Sequence, residues 1–258
     1  MTSKQVDEYV SLLDESIDLL TGGFKRPRPK NIHHQIVPDA TSPIHAGSVP
    51  QAPGPVAEGP PAAGANAVNS AEVTGGLGRI VSEVADCTLC GLCETRTKTV
   101  PGEGAENPLV VIIGEGPGAD EDREGRPFIG KAGRYLDTWL NAIELNRGRD
   151  CFITNIVKCR PPGNRDPNPD ESDACTAYIE RQIDLLRPRA ILTLGRVAIQ
   201  RLTGSSRGIG ALRGETYLYR DVPVIPTYHP SGVLRNPQYR PDVWDDLRRL
   251  KDIVRANG

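Results

Sequence analysis

The sequence predicts an α/β fold: a three-layer αβα domain with a central, mostly parallel four-stranded sheet, preceded by a disordered N-terminal extension. From residue 108 onward, short apolar segments alternate with helix-like segments, which is the pattern of a parallel sheet whose strands are connected by helices. Residues 25–75, in contrast, contain nine prolines and no Phe, Trp or Tyr. Such a stretch cannot bury enough apolar surface to offset the entropy of ordering the chain.

The chain divides into three segments. Residues 1–24 predict a short amphipathic helix with acidic residues opposite its apolar face. Residues 25–75 predict a linker, and residues 76–258 are long enough to form one globular domain. Residues 25–30, KRPRPK, form a basic cluster that we interpret as a solvated charge run rather than a DNA contact, although residues 1–30 could dock to a partner protein. The apolar face of the first helix comprises Val6, Tyr9, Val10, Leu13, Ile17 and Leu20.

Charge and targeting signals narrow the function classes. The net charge is −2, and residues 76–258 carry 26 basic and 25 acidic side chains. DNA binding would therefore depend on a local patch. The first apolar run, residues 10–20, is interrupted by three acidic residues, so it does not resemble a signal peptide, and no segment predicts a membrane span. We expect a cytoplasmic monomer, in which six cysteines are metal ligands or plain thiols rather than disulfides.

Four strands and four longer helices are predicted along the domain. The strands are apolar and carry few charges, as expected of strands buried on both faces. The strands are LVVIIG (109–114), CFITNIV (151–157), AILTLG (190–195) and VPVIPTY (222–228). The helices are KAGRYLDTWLNAIEL (131–145), PDESDACTAYIERQIDLL (169–186), RVAIQRL (196–202) and PDVWDDLRRLKDIVRA (241–256).

Unusual residues follow three of these strands. GEGPG occupies 114–118, Asn155 ends the second strand, and His229 follows the fourth within YHPS. Each alone is weak evidence, because glycine turns and capping Asn residues are common. Ligands of parallel sheets bind at the carboxyl ends of strands, however, and these residues converge on that edge. His229 is also the only histidine after the linker, and Pro230 restrains its backbone.

The cysteines form a second group. Cys87 and Cys90 make a C-x2-C motif, and Cys159 and Cys175 enclose the proline-rich segment 160–174. Four thiolates suit either tetrahedral zinc or an iron-sulfur cluster, and the spacing does not separate the two metals. Cys93 is close enough to the motif to be a rival ligand. Cys151 opens a buried strand and is interpreted as a packing residue.

Taken together, the motifs resemble those of the family 4 uracil-DNA glycosylases, the group with a [4Fe-4S] cluster. The resemblance rests on GEGPG, GRPFIGKAG, ITNIVKCRPPGNRDPNPDE with its later cysteine, and YHPSGVLRNP, in this order over residues 84–256. It implies that uracil-containing DNA is the partner and that the enzyme flips uracil out and hydrolyses its N-glycosidic bond. The product would be an abasic site for base excision repair. Residues 1–75 and Cys93 lie outside the family pattern.

The resemblance assigns residue roles by position. It implies that Phe128 stacks on uracil, that Asn155 pairs with its amide edge, and that His229 faces O2 of the base. The turn residues Glu115, Gly116 and Pro117 would line the pocket near the sugar. The resemblance further implies four cluster ligands and a loop in the DNA minor groove. The ligands are Cys87, Cys90, Cys159 and Cys175, and the groove contacts are Val233, Leu234 and Arg235.

The residue that activates water is left open between Glu115 and Glu121. Better known uracil glycosylases have an Asp at the position of Gly116, and Glu121 could instead be an ordinary exposed acid. Two other readings compete: an iron-sulfur or zinc protein that binds DNA without catalysis, and a variant glycosylase that bonds covalently to its product. The variant has a His-containing loop after the second strand, whereas residues 160–174 contain no His.

Overall fold

The computed structural model describes residues 70–256, all of which belong to one compact unit, Ala63–Gly258. The predicted helix over 1–24, the basic cluster and most of the predicted linker lie outside the described residues. The first described helix, α1, spans Ser70–Ala85, so the boundary predicted at residue 76 falls inside it. Val73, Ile80 and Val84 are buried on one side of this helix, and that packing overrides the low helix propensity of its glycines.

A six-stranded sheet forms the centre of the domain, with the order β1-β3-β2-β4-β6-β5. The four inner strands are parallel and coincide with the four predicted ones. The strands are β1 Glu103–Gly104, β2 Val110–Gly114, β3 Cys151–Asn155, β4 Ala190–Leu194, β5 Tyr217–Tyr219 and β6 Val222–Thr227.

The prediction of four strands is incomplete, because β1 and β5 pair antiparallel with the two outer parallel strands. β1 is only two residues long. β5 joins β6 through Arg220 and Asp221, whose φ angles are +49° and +64°. A two-residue hairpin with both central residues in this region is usually built from Asn-Gly or Asp-Gly, so Arg-Asp gives a weak sequence signal.

Helices cover both faces of the sheet. The predicted helix over 169–186 has the observed bounds, because Pro169 occupies its first turn and Asn168 and Glu171 form a capping box. No helix in the described part of the chain is long and apolar enough to cross a membrane. Beyond α1, the helices are α2 Ala119–Glu124, α3 Lys131–Ala142, α4 Pro169–Leu186, α5 Arg196–Thr203, α6 Ile209–Leu212, α7 Pro230–Arg235 and α8 Arg240–Ala256.

The predicted three-layer arrangement is confirmed by two hydrophobic cores, one on each face of the sheet. Val111 and Ile113 of β2 pack with α1, α4 and α5, whereas Val110 and Ile112 pack with α3, α7 and α8. Alternate residues of a strand point to opposite faces, so a strand apolar at every position serves both cores. All four parallel strands end at the same edge of the sheet, where Gly114, Asn155, Leu194 and Thr227 lie.

Candidate functional site

Three predicted pocket residues meet at the carboxyl edge of the sheet. The rings of Phe128 and His229 lie 5.7 Å apart, tilted by 35°. A methyl group placed on Gly114 would lie 2.4 Å from Asn155 Oδ1 and 2.6 Å from Phe128 Cζ. Both side chains therefore pack directly against the Gly114 backbone, and only glycine permits this approach. The structure thus brings together residues from three separate segments of the chain.

Asn155 is hydrogen-bonded through its backbone carbonyl, whereas its side-chain oxygen is unpaired. The residue is 1 % exposed, and its Oδ1 has no hydrogen-bond partner. Its backbone carbonyl accepts a hydrogen bond of 2.9 Å from Nζ of the buried Lys158, which also donates to Thr154 Oγ1 and Gln182 Oε1. An unpaired buried acceptor costs about 1–3 kcal/mol. Its presence at a strand end points to a ligand that donates to it.

Phe128 has a backbone conformation that is rare for an aromatic residue, with a φ of +50°. Its ring is buried, at 6 % exposure. The loop around it is fastened by Glu121, whose Oε1 accepts hydrogen bonds from the N–H groups of Ile129 (3.0 Å) and Gly130 (2.9 Å). Non-glycine residues in this region carry strain that often accompanies functional sites.

His229 is fixed in one tautomer by its neighbour. The backbone N–H of Ser231 donates to Nδ1 of the ring at 3.2 Å, and Ser231 Oγ lies 2.8 Å from the same nitrogen. Nδ1 therefore acts as an acceptor, and the ring proton resides on Nε2. Burial, followed by the charge of Arg235, lowers the pKa of His229 to about 4. The ring is therefore neutral at physiological pH, with its Nε2–H group as the available donor.

Glu115, in the turn after β2, is the acid of the site with the most perturbed pKa. Burial, the charge of Asp166 and a hydrogen bond with Asp166 raise the pKa of Glu115 to about 7, against the opposing charge of Arg196. Asp166 is itself ion-paired with Arg196. A carboxyl group poised near neutral pH beside a pocket is the usual state of a group that works in proton or charge chemistry.

The remaining turn residues shape the wall of the site. Pro117 is buried, and a methyl group on Gly116 would lie 2.9 Å from Val157 Cγ2. Glu121 belongs to α2 and is half-buried. Because its Oε1 already serves two backbone N–H groups, the contacts of Glu121 are those of a residue that shapes the Phe128 loop.

Helix α7 carries the three predicted DNA contacts. Val233 is fully buried and packs into the core below the helix, so its side chain does not reach the surface in this structure. Leu234 is partly exposed and Arg235 is exposed. In a helix of 3.6 residues per turn, neighbouring positions face different directions. Val233 and Leu234 therefore do not both point away from the core.

All four predicted cysteine ligands line one common cavity. Arg96 Nη1 lies 3.2 Å from Cys159 Sγ and 2.8 Å from the carbonyl oxygen of Cys87. Burial raises the pKa of the Cys159 thiol to about 11. Burial raises the pKa of Cys90 and of Cys175, and the charges of neighbouring cysteines add to the increase.

Cys93 lines the same cavity, whereas Cys151 is fully buried among apolar side chains beneath the sheet. The interpretation of Cys151 as a packing residue is confirmed. Within residues 70–256, no group of three or more His, Cys, Asp or Glu side chains has the arrangement of a metal-ion site. The donor chemistry of the cavity, five thiols with Arg96 at its wall, nevertheless suits a cationic group held by thiolates.

Several residues of the site were not identified from the sequence. Asp166 and Arg196 flank Glu115, Lys158 holds the Asn155 carbonyl, and Arg147 donates to the carbonyl of Phe128 at 3.0 Å. Lys158 and Asp166 lie within the motifs that singled out Asn155 and the cysteines. Arg147 lies outside every motif, and only its tertiary contacts identify it.

Comparison with known proteins agrees with this geometry. Residues 101–248 match the family model of the Uracil DNA glycosylase superfamily. The type-4 uracil-DNA glycosylase of Sulfurisphaera tokodaii is 41% identical over 187 residues, which cover 69% of this chain and 84% of the relative. The type-4 uracil-DNA glycosylase of Thermotoga maritima is also 41% identical over 187 residues, covering 70% of this chain and 97% of the relative.

A more distant relative, the type-5 uracil-DNA glycosylase of Pyrobaculum aerophilum, is 30% identical over 151 residues, covering 52% of this chain and 66% of that protein. The match to type-4 proteins is thus both closer and longer than this match to a type-5 protein. The region shared with the type-4 relatives is long enough to take in most of the αβα domain, and it accounts for nearly all of the Thermotoga protein. The chain therefore belongs to the uracil-DNA glycosylase superfamily, within its type-4 group.

Proposed function

We propose that this protein is a DNA repair enzyme that excises uracil by hydrolysing its N-glycosidic bond, releasing free uracil and leaving an abasic site. The observation that supports this most directly is the buried Asn155 amide, whose Oδ1 has no partner. Its amide packs with the Phe128 ring against Gly114 at the carboxyl edge of the sheet, and the His229 ring is the neighbour of Phe128. A base taken out of the duplex needs such a pocket, with an aromatic face and polar groups directed at its edge.

Recognition of uracil follows from the amide. Asn155 Oδ1 accepts the N3–H proton of uracil, and the amide N–H₂ group donates to O4. Cytosine has an acceptor at N3 and a donor amino group at C4, the reverse of uracil. With the amide in the same orientation, both hydrogen bonds to Asn155 are therefore lost. A site that leaves buried polar groups unpaired with the wrong substrate discriminates strongly. Phe128 supplies stacking that replaces part of the stacking lost from the duplex.

Charge develops at two places when the glycosidic bond breaks. The departing base becomes negative, chiefly at O2, where the Nε2–H group of His229 donates a hydrogen bond that strengthens as the charge grows. The sugar becomes positive, and the Glu115 carboxylate stabilises that charge or orients the attacking water. Fixed donors aimed at developing charge contribute about 3–4 kcal/mol of barrier reduction each.

Cys87, Cys90, Cys159 and Cys175 are proposed to hold a [4Fe-4S] cluster in their common cavity. The support is the donor set: four cysteine side chains line one cavity, and a cationic centre between them would stabilise their thiolate forms. When bound, the cluster fixes the segment before β1 to the loop after β3 and to α4. Cys87 and Cys90 precede β1, whereas Cys159 and Cys175 follow β3, so we assign the cluster a structural role. The protein is further proposed to act as a monomer.

The proposal is tested with the purified full-length chain, loaded with its metal, and labelled duplexes containing either one uracil or a matched thymine. We expect free uracil and an alkali-labile site only with the uracil duplex. Binding without base release would favour a DNA-binding protein without catalysis. A protein–DNA adduct that survives a denaturing gel would favour the variant glycosylase that bonds to its product.

A further inference from the structure

We propose that Arg147 is a positioning residue that holds Phe128 in its strained conformation and thereby sets the plane on which the base stacks. The inference rests on the proposed function for the role of the Phe128 ring, but the contacts that carry it are independent of that function. Arg147 lies between α3 and β3, 19 residues from Phe128 in sequence.

Arg147 donates hydrogen bonds to two consecutive carbonyl groups of the loop that carries Phe128. Its Nη1 donates to the Phe128 carbonyl at 3.0 Å, and its Nη2 donates to the Pro127 carbonyl. The guanidinium is anchored in turn by Asp137 Oδ1 of α3 at 3.0 Å and by Glu103 Oε1 of β1 at 3.4 Å. A planar guanidinium presents its donors in a fixed fork, so it orients two carbonyls at once in a way that a lysine cannot.

Phe128 is the residue that needs this support. Its φ of +50° is unfavourable for a side chain with a Cβ atom, and such conformations persist only where the surroundings impose them. Contacts on both sides of Phe128 impose this conformation. A methyl group on Gly133 would lie 1.7 Å from the Phe128 carbonyl oxygen, so α3 has a glycine where the loop crosses it. Glu121 binds the two N–H groups that follow.

Loss of the Arg147 fork leaves two carbonyls without their charged donor. We then expect the loop to relax toward an ordinary φ, which rotates the ring away from Gly114 and His229. A misplacement of about 1 Å in a group that positions substrate costs on the order of 100-fold in rate. The effect of Arg147 on the pocket should pass through Phe128. Within the described residues its hydrogen bonds go to Pro127, Phe128, Asp137 and Glu103, and none goes to Asn155, His229 or Glu115.

The first test does not depend on activity. The chain contains only three phenylalanines, namely Phe24, Phe128 and Phe152, so incorporation of fluorophenylalanine gives three ¹⁹F resonances that Phe→Leu variants assign. In Arg147→Ala we expect the Phe128 resonance to shift or broaden while that of the buried Phe152 is unchanged. Arg149→Ala is the matched control, because Arg149 is an exposed arginine of the same segment that pairs with Asp150 and should leave all three resonances in place.

The second test is a double-mutant cycle on single-turnover uracil release. Arg147→Ala should lower the rate about tenfold or more in the parent, but less than twofold in a Phe128→Ala background, because the ring it positions is gone. Arg147→Lys keeps the charge without the fork and should restore only part of the rate. If Arg147→Ala does not fold, Arg147→Lys carries both measurements.

The two proposals fail in different ways. An unmoved Phe128 resonance in the Arg147 variants overturns the positioning role, as does an equal loss of rate in both backgrounds. A parent protein that releases no uracil overturns the proposed function instead, and the ¹⁹F measurement still decides the role of Arg147.

Discussion

The backbone N–H of Ser231 donates a hydrogen bond to Nδ1 of His229 at 3.2 Å, and this contact determines that the other ring nitrogen, Nε2, carries the proton. With Nδ1 occupied and a pKa lowered to about 4, the ring is a neutral Nε2–H donor. A neutral imidazole stabilises a developing anion without giving up its proton. The His229 side chain therefore needs no change of protonation state during the reaction.

His229→Ala should lower the single-turnover rate of uracil release by about 100- to 1000-fold, the usual cost of removing one such donor. Because the donation strengthens in the transition state, DNA affinity should change much less than the rate. Ser231→Ala is the control. Its backbone N–H still fixes the His229 tautomer, so the rate of uracil release should fall by less than about tenfold. A His229→Ala protein that keeps its iron and cleaves within threefold of the parent contradicts the role.

Gly114→Ala should disable the pocket without touching any reacting group. The added methyl group must displace both Asn155 Oδ1 and the Phe128 ring, which lie 2.4 and 2.6 Å from its position. Such overpacking typically costs about 1–3 kcal/mol of unfolding free energy, and base capture should fall with it. Gly78→Ala in α1 meets no atom within 4 Å and is the matched control. Wild-type cleavage by Gly114→Ala would show that Asn155 and Phe128 are not where the base binds.

Much of the fold follows from local pattern. The inner strands are apolar at every position because both faces are covered, and the bounds of α4 follow from Asn168 and Pro169. The edge strands escape prediction because they bury little. Leu218 in β5 is 70 % exposed, whereas Tyr217 and Tyr219 on either side of it are partly buried. An apolar residue therefore lies on the solvent side, so the sequence lacks the apolar–polar alternation of a half-buried strand, and the Arg220–Asp221 turn lacks a glycine.

The site divides in the same way. Asn155 and His229 are predictable because Asn155 ends a strand and His229 follows one closely, and parallel topology brings strand ends together. The burial of Val233 was not predictable from the sequence, because exposure on a six-residue helix depends on what packs beneath it. Asp166, Arg196 and Arg147 act through contacts between segments far apart in sequence, and no local pattern encodes which carbonyl or carboxylate a surface arginine reaches.

Protein prepared without oxygen should be brown and contain about four irons per chain. Replacing any one of Cys87, Cys90, Cys159 and Cys175 with Ser should reduce the iron content and the melting temperature before it alters chemistry, because the cluster connects distant segments. Cys93→Ser is the internal control, since Cys93 lines the cavity but is not among the proposed ligands. If Cys93→Ser loses iron and one of the other four variants retains it, Cys93 is the ligand in place of that cysteine. Stoichiometric zinc in place of iron would refute the cluster.

Deletion of residues 1–69 should leave a folded protein with its iron and its intrinsic cleavage rate. Both hydrophobic cores described here are built from residues 73–254, and the deletion spares α1. Residues 1–30 are proposed to dock to a partner protein, so their loss should affect an interaction rather than chemistry. Circular dichroism, iron content and single-turnover cleavage of the truncated and full chains check this, and a tenfold loss in cleavage rate would mean that the extension contributes to the domain.

Glu115 should impose a pH dependence centred near neutrality. Its pKa is raised to about 7, and the carboxylate is the form that stabilises a cationic sugar or orients water. The single-turnover rate should therefore rise with pH through about 7 and level off above it. His229, with a pKa of about 4, adds no second transition between pH 5 and 9. Glu115→Gln cannot ionise and should be slow, and any pH dependence that it keeps over this range belongs to Lys158, whose pKa is lowered by burial to about 7.

Two neighbours should move the midpoint of that profile in opposite directions. Asp166 raises the pKa of Glu115, whereas Arg196 lowers it. Asp166→Asn removes a negative charge, so Glu115 should ionise more easily and the midpoint should fall. Arg196→Ala removes a positive charge, so the midpoint should rise. Rate profiles of the parent and both variants, measured at saturating enzyme, provide the comparison. A rate that falls as pH rises through 7 would show that the protonated form of Glu115 is the active one. A midpoint that is unchanged by both substitutions would show that Glu115 does not determine the rate.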